Sequence, residues 1–578
     1  MANEVRWIVL AALGLGQLVC AGGADANEPV RLVQWQPYDI SLNADREHAW
    51  WTFPASADFV HEASESAIRI EAFWDGGRTW VVRFAPPLPG RWTCTTESRD
   101  SGLDGHSGTI EVRMPTQQEV VANANYRGHL RISPNGRYFE HADGTPFFLM
   151  ASTLWAGNTA RCGLGSNQDG PFFQYLSDRK RKGFTAILMQ LFHGFGDYGY
   201  GRYPEVLGHR NEGGKPFHDG VVTELNPEHF RYLDRRMHAV WERGLVAATP
   251  TAWFGKTGEC HFTLEDAKRI SCYLRVRYGA YSSLWALSGE YQYTFRDCDW
   301  TAEGINELGR AVQRHNPYEH PLSIHPSGRT NWPAPHNVQS SLPFHEERWL
   351  DHHWLQTGQS VDRLYNIVRR AEENRALRPV KPVFCSESYY ERASDPHSAY
   401  HMRWQGWTAF LSGCAGYGYG AFGIWQFYDP NDPEGETGKA TRDVVPWPRA
   451  MQFPGPSMLK HVAALLTSIE WWRLEPARDR LRIDGEPCPA PTRTDLTPPH
   501  AATIPGELWV VYLPRGNGGR DISLPTDATN TVARIRWYDP RQGTWLRPDG
   551  SGLREGGTLP PRPAPSNEDW VFVLEQGN

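Results

Sequence analysis

The hydrophobic pattern changes period twice along the chain. Residues 27–115 carry short alternating runs, among them AIRIEAF (67–73) and TWVVRFA (79–85), separated by Asp75-Gly76-Gly77, Pro86-Pro87 and Pro89-Gly90. Alternation broken by turn residues predicts hairpins with one buried face, hence a small N-terminal β-sandwich. A polar stretch at 116–125 predicts a linker. From about residue 129 helical and strand patterns alternate. Asn226 can cap a helix beginning at Pro227, with Phe230, Leu233, Met237, Val240 and Trp241 on one face, and Gly244 ends it before the apolar run LVAATP (245–250). The same order recurs. Pro171–Lys182 precedes FTAILMQLF, Leu264–Tyr278 precedes SLWALS, Ile305–Val312 precedes PLSIHP, and Val361–Arg375 precedes KPVFCSE. With PFFLMAS (146–152) first, WLDHHWLQ (349–356) sixth and a segment near GYGAFGIW (418–425) eighth, the pattern predicts eight parallel strands joined by helices. After about 470, ELWVVYLP (507–514), VARIRWYDP (532–540) and DWVFVLE (569–575) predict an antiparallel C-terminal β-sandwich.

The expected architecture is therefore a central (β/α)8 TIM barrel over 129–468, flanked by a β-sandwich at 27–115 and another at 470–578. A doubly wound open sheet is the alternative, and no Gly-rich phosphate fingerprint follows the first strand. Residues 1–26 read as a cleavable signal peptide: Arg6, the apolar stretch 7–20, then Ala24-Asp25-Ala26. Gln17 stands where a lipobox wants an aliphatic residue, which argues against an anchor at Cys20. A secreted or periplasmic protein is expected, with no membrane span. Net charge is −7 with no basic run, so nucleic acid is not an expected partner. Eight cysteines follow the leader, none in a zinc-type spacing, and nothing fixes a disulfide pairing; Cys385 and Cys414, inside apolar runs, read as buried thiols. No sequence feature specifies an oligomeric state.

Candidate chemistry concentrates at strand ends. Glu290 closes SLWALSGEY (283–291) and Glu387 closes KPVFCSESYYE (381–391). On one parallel barrel both carboxylates reach the carboxyl-end mouth, and two carboxylates at one cleft suffice to cleave a glycosidic bond. After strands four and seven, Glu387 would attack the anomeric carbon and Glu290 would serve as acid and base. Substrate-binding candidates are Trp155, His193, Trp253, His325, His353, Gln356, Tyr389 and Trp425, with Trp425 a floor for a stacked sugar ring. Tyr389 or Tyr390 could hydrogen-bond Glu387. Asp178 and Asp234 read as solvated helix faces. No metal or organic cofactor is expected.

Six stretches in order resemble the apiosidase-like glycoside hydrolases: 128–155, RKGFTAILMQ (181–190), RYGAYSSLWALSGEY (277–291), WLDHHWLQTGQ (349–359), KPVFCSESYYE (381–391) and SGCAGYGYGAFGIW (412–425). The resemblance implies a barrel of the large retaining clan with catalytic carboxylates after strands four and seven. The front stretch 72–92 is similar to the β-sandwich often found ahead of that barrel, and the tail to a β domain labelled as collagen-binding. Ser288-Gly289-Glu290 departs from the G-G-D of members resembling the apiosidase itself, Ser152 stands where an acidic residue is usual, and Tyr417 where a His is common. The expected function is a secreted retaining glycosidase acting on a plant, algal or microbial poly- or oligosaccharide. The competing readings are a carbohydrate-binding protein without turnover and a secreted peptidase, the latter without H-E-x-x-H or G-x-S-x-G.

Overall fold

The computed structural model describes residues 18–19, 29–192, 210–255, 260, 262–431, 444–525, 532–546 and 564–576. The chain separates into units at 1–114 and 115–578. The first unit holds two sheets. One runs Val30–Val33, Ser107–Arg113, Gly90–Ser98, Ala55–His61, Ala67–Glu71, and the other Leu18–Val19, Tyr38–Asn43, Thr79–Phe84, Phe73–Trp74. Along Gly90–Ser98, Trp92, Cys94 and Thr96 are buried while Arg91, Thr93 and Thr95 face water, as period two requires. Phe59 and Phe84 stack at 3.8 Å in its core. Gly76 and Gly77, at φ 108° and 52°, make the turn ahead of Thr79–Phe84.

The second unit contains an eight-stranded parallel sheet curled into a nearly closed barrel. Its strands are β1 (Leu149–Thr153), β2 (Ala186–Leu188), β3 (Val246–Pro250), β4 (Ser283–Ala286), β5 (Leu322–Ser323), β6 (His353–Gln356), β7 (Val383–Glu387) and β8 (Gly416–Tyr419). Ladder pairing runs from β5 through β4, β3, β2, β1, β8 and β7 to β6. At the β5–β6 seam, Asp351 N–H donates to Leu322 O, Leu322 N–H donates to Asp351 Oδ2, both at 2.8 Å, and Ser323 Oγ donates to His352 O at 2.6 Å. Asp351 thus sits at the foot of β6. Leu130, Phe139 and Phe147, from a three-stranded sheet ahead of β1, join the apolar barrel interior and close its floor.

The helices of ten or more residues are α1 (Pro171–Arg181), α2 (Pro227–Glu242), α3 (Leu264–Tyr278), α4 (Ala302–Arg314), α5 (Asn366–Arg375), α6 (Ser398–Leu411) and α7 (Gly455–Leu466). The Asn226 side chain accepts from Glu228 N at 3.1 Å, and Thr263 and Asp266 form a capping box on α3. The stretch 361–375 is a 3-10 turn, Val361–Arg363, followed by α5 rather than one helix. The eighth strand lies earlier than 418–425. It packs tightly because a Cβ at Gly416 would approach Leu149 Cγ to 2.5 Å and one at Gly418 would approach Ser386 O to 2.2 Å. Nor are Asp234 and Asp178 solvated. Fully buried Arg277 grips Asp234 through two bonds of 2.8 and 2.7 Å, and Asp178 pairs with buried Arg179.

The C-terminal strands form a six-stranded sheet and a three-stranded one around a common core that includes Trp509, Val511, Phe572, Ile483 and Ile522. Helix α6 carries its buried contacts to the barrel, with α5 and α7 adding Glu372–Arg478 and Tyr538 OH to His461 O. Arg403 makes paired bonds of 2.8 and 2.7 Å to buried Asp569, Trp404 Nε1 donates to Leu496 O, and Trp407 stacks on Tyr512. Cys260 and Cys298 form a disulfide between the loop after β3 and the segment after β4; Cys385 and Cys414 are free and buried. Among the described residues no helix is long and apolar enough to cross a membrane.

Candidate active site

Past β4 the chain runs Ser288-Gly289-Glu290. Gly289 N–H donates to Ala252 O at 2.9 Å, and a Cβ at Gly289 would lie 2.0 Å from Trp253 Cδ2. Glycine therefore lets the Trp253 indole lie flat against the strand end. Trp253 Nε1 then donates to Glu290 Oε2 at 3.3 Å. Glu290 adopts φ +40°, a left-handed conformation that costs about 1–3 kcal/mol for a residue with a side chain and clusters at functional sites.

The end of β7 is built differently. Glu387 pairs in register with Gln356 on β6. Gln356 Nε2 and Gln359 Nε2 each donate to Glu387 Oε1 at 2.7 Å. His325 Nε2 lies 3.2 Å from Oε2, and the Tyr390 hydroxyl also bonds the carboxylate. Burial, and then the charge of Glu387, hold the Tyr390 hydroxyl far above its ordinary pKa, so it stays a donor. A Cβ at Gly420 would meet Tyr390 Cε1 at 2.2 Å, so that glycine makes room for the ring.

One aromatic cluster joins the two carboxylates. Trp253 contacts Trp155 with ring centroids 4.8 Å apart and His325 at 5.6 Å, and Trp155 Nε1 donates to Tyr390 OH at 2.9 Å. Glu290 thus touches Trp253, Glu387 touches His325 and Tyr390, and Trp155 bridges the two sides. Glu290 and Glu387 are both buried, at 5% and 6% exposure.

A family model describing the apiosidase-like catalytic domain matches residues 133–473, more than half of the sequence. The chain belongs to the apiosidase-like family. It is a glycoside hydrolase, and carbohydrate is its substrate class. A domain of unknown function (DUF5060) matches residues 31–99. No curated protein matches the chain. Two solved structures from Bacteroides vulgatus ATCC 8482 are similar in fold. A candidate glycoside hydrolase has TM-score 0.65 and 17% identity, covering 94% of this chain and all of its own. A glycoside hydrolase of family 5 has TM-score 0.61 and 19% identity, covering 78% of this chain and 94% of its own.

Of the residues singled out in the sequence, Glu290, Glu387, Trp155, Trp253, His325 and Gln356 gather here. Trp425 falls in the loop after β8, where its carbonyl accepts from Ala156 N and its ring joins the same cluster. His193 lies outside the described residues. His353 is not at the mouth. Its ring bonds Ser341 Oγ at 3.1 Å and His345 Nδ1 at 3.0 Å, and burial depresses its pKa well below the ordinary value. Tyr389 also turns away and donates to Asp395 Oδ2 at 3.0 Å, leaving Tyr390 to hold Glu387. Gln359 was not singled out in the sequence; the signal was a second amide placed just past Gln356 by Thr357-Gly358.

Proposed function

We propose that this family member is an exported, retaining glycosidase in which Glu387 is the nucleophile and Glu290 the acid/base. The observation that carries the reading is the donor shell on Glu387. Donors from Gln356, Gln359, His325 and Tyr390 converge on one carboxylate and favour its ionised form, as a resident nucleophile requires. Glu290 accepts from the Trp253 indole N–H at 3.3 Å, on the opposite side of the aromatic cluster.

In the first step a Glu387 oxygen bonds to the anomeric carbon while the glycosidic C–O bond breaks and Glu290 gives its proton to the departing oxygen. In the second, ionised Glu290 takes a proton from water, the water oxygen bonds to the same carbon, and the ester to Glu387 breaks. Trp155, Trp253 and Trp425 supply apolar faces against which a pyranose or furanose ring can rest. The substrate proposed is a plant, algal or microbial polysaccharide or a fragment of one. Export is supported by the leader-like sequence of residues 1–26, whose Leu18–Val19 pair with Ile40 and Ser41 while the leader is still attached, and by the Cys260–Cys298 disulfide, a bond that persists in oxidising compartments.

The test is a panel of 4-nitrophenyl glycosides and polysaccharides with wild type, Glu290→Ala and Glu387→Ala. Wild type should cleave at least one member, with retention by NMR. Sodium azide should restore turnover to both variants, giving a glycosyl azide of retained configuration with Glu290→Ala and of inverted configuration with Glu387→Ala. Inverted product from wild type, or full activity in either variant, ends the reading.

A further inference from the structure

The end of β6 and the loop that follows it grip the end of β7 at four points. Thr357 N–H donates to the backbone O of Glu387 at 3.0 Å, and the amides of Gln356 and Gln359 both donate to Oε1. Gln359 Oε1 in turn accepts from Tyr390 N–H at 3.0 Å. That last bond fixes the amide orientation, since the oxygen must face the Tyr390 peptide and the nitrogen must face Glu387. Gly358, at φ +103°, turns the chain so that the second amide returns to the same carboxylate, and a Cβ there would come within 2.6 Å of Arg363 Cδ. Arg392 Nη2 donates to Gln359 O at 2.8 Å and holds the clamp from outside.

We infer that Gln359 is a positioning residue. With Gln356 it pins Oε1 of Glu387, so that Oε2, against His325, is the oxygen that attacks. This inference rests on Glu387 being the nucleophile. The chemistry favours the division. When Oε2 bonds to the anomeric carbon and the leaving C–O bond breaks with the Glu290 proton, Oε1 becomes the carbonyl oxygen of the ester. It accepts from both amides before and after, so the clamp never releases during the cycle. His325 must give way at Oε2, where its 3.2 Å contact is the longer of those measured. An amide that also reads the Tyr390 peptide couples the carboxylate orientation to the Tyr390 hydroxyl, because both hang from one loop.

Gln359→Glu separates this role from packing. It is isosteric and keeps the acceptor for Tyr390 N–H, yet it removes the donor and adds charge beside Glu387. With the full chain and whichever 4-nitrophenyl glycoside wild type cleaves fastest, kcat should fall about 10- to 100-fold with KM within about threefold. The acid limb of kcat/KM should move to higher pH, because the ionised nucleophile has lost a donor and gained a like charge. Gln359→Ala, which adds no charge, should lose kcat with a smaller movement of that limb, and serves if the Glu variant does not fold. Wild-type kcat and an unmoved acid limb in the folded variant overturn the inference, as does a loss confined to KM. Glu387→Ala with azide runs alongside. If azide restores nothing there, the nucleophile assignment fails whatever Gln359 does; if it restores turnover while Gln359→Glu behaves as wild type, only the clamp fails.

Discussion

At the end of β4, Glu290 rests on an indole N–H at 3.3 Å and hangs from a left-handed backbone, while at the end of β7 Glu387 is met by two amides at 2.7 Å, an imidazole and a phenol. The two carboxylates stand on equivalent strand ends of one barrel, yet their surroundings are unlike. A group that must stay ionised and aimed gains from several short, fixed donors. Under the proposed mechanism, the fixed donors on Glu387 mark it as the nucleophile and leave Glu290 as the acid/base.

The largest effect should come from breaking that division outright. Glu387→Ala should lower kcat/KM by about 10⁵-fold or more on every substrate, since under the proposed mechanism Glu387 alone supplies the bond to carbon. Glu290→Ala should cost about 10²–10⁴-fold, and less as the leaving group improves, because an activated phenol needs little proton assistance. Equal losses across a leaving-group series would erase the contrast.

Next in size is a change beneath the β7 side. Burial raises Asp351, at the β5–β6 seam, from an ordinary 3.8 to about 6. Because the folded value exceeds the unfolded one, its stabilising contribution is complete below about pH 4 and is lost as pH rises through 6. Asp351→Asn keeps an acceptor for Leu322 N–H without the charge. Urea melts at pH 4 and pH 7 should show the variant gaining on wild type by up to about 3 kcal/mol as pH rises, the equivalent of about two pKa units.

On the β4 side, Gly289→Ala forces a Cβ into the Trp253 indole and should cost about 1–3 kcal/mol in a thermal melt, together with much of the activity. The smallest effect expected is that of Trp253→Phe, which keeps an aromatic face and removes the N–H. Turnover should fall less than about tenfold. The basic limb of the pH profile should move upward, as the ionised acid/base loses a donor. An unmoved basic limb would show that the indole serves Glu290 only as packing.

Most of the barrel was legible because its strands are buried on both faces and read as continuous apolar runs closed by polar residues. Glu290 and Glu387 were legible for the same reason, as charges at the ends of such runs. His353 was misplaced through neglect of the alternation of side chains along a strand. Gln356 facing inward puts Trp354 inward and His353 outward, and of adjacent Tyr389 and Tyr390 only one turns toward Glu387. Helix α6 escaped notice because it is apolar nearly all round, buried between barrel and C-terminal sheets, so no stripe marks it. Gln359 escaped because an amide in a loop looks the same in sequence whether it meets water or a carboxylate.

The bolt between Arg403 and Asp569 has a practical consequence for anyone wishing to excise the barrel. Removing everything beyond residue 473 would leave a guanidinium without its counterion and strip the cover from Trp404 and Trp407. Breaking one side of a buried ion pair costs about 3–5 kcal/mol. Such a fragment would be expected to precipitate, so the tail must travel with the enzyme in any expression trial.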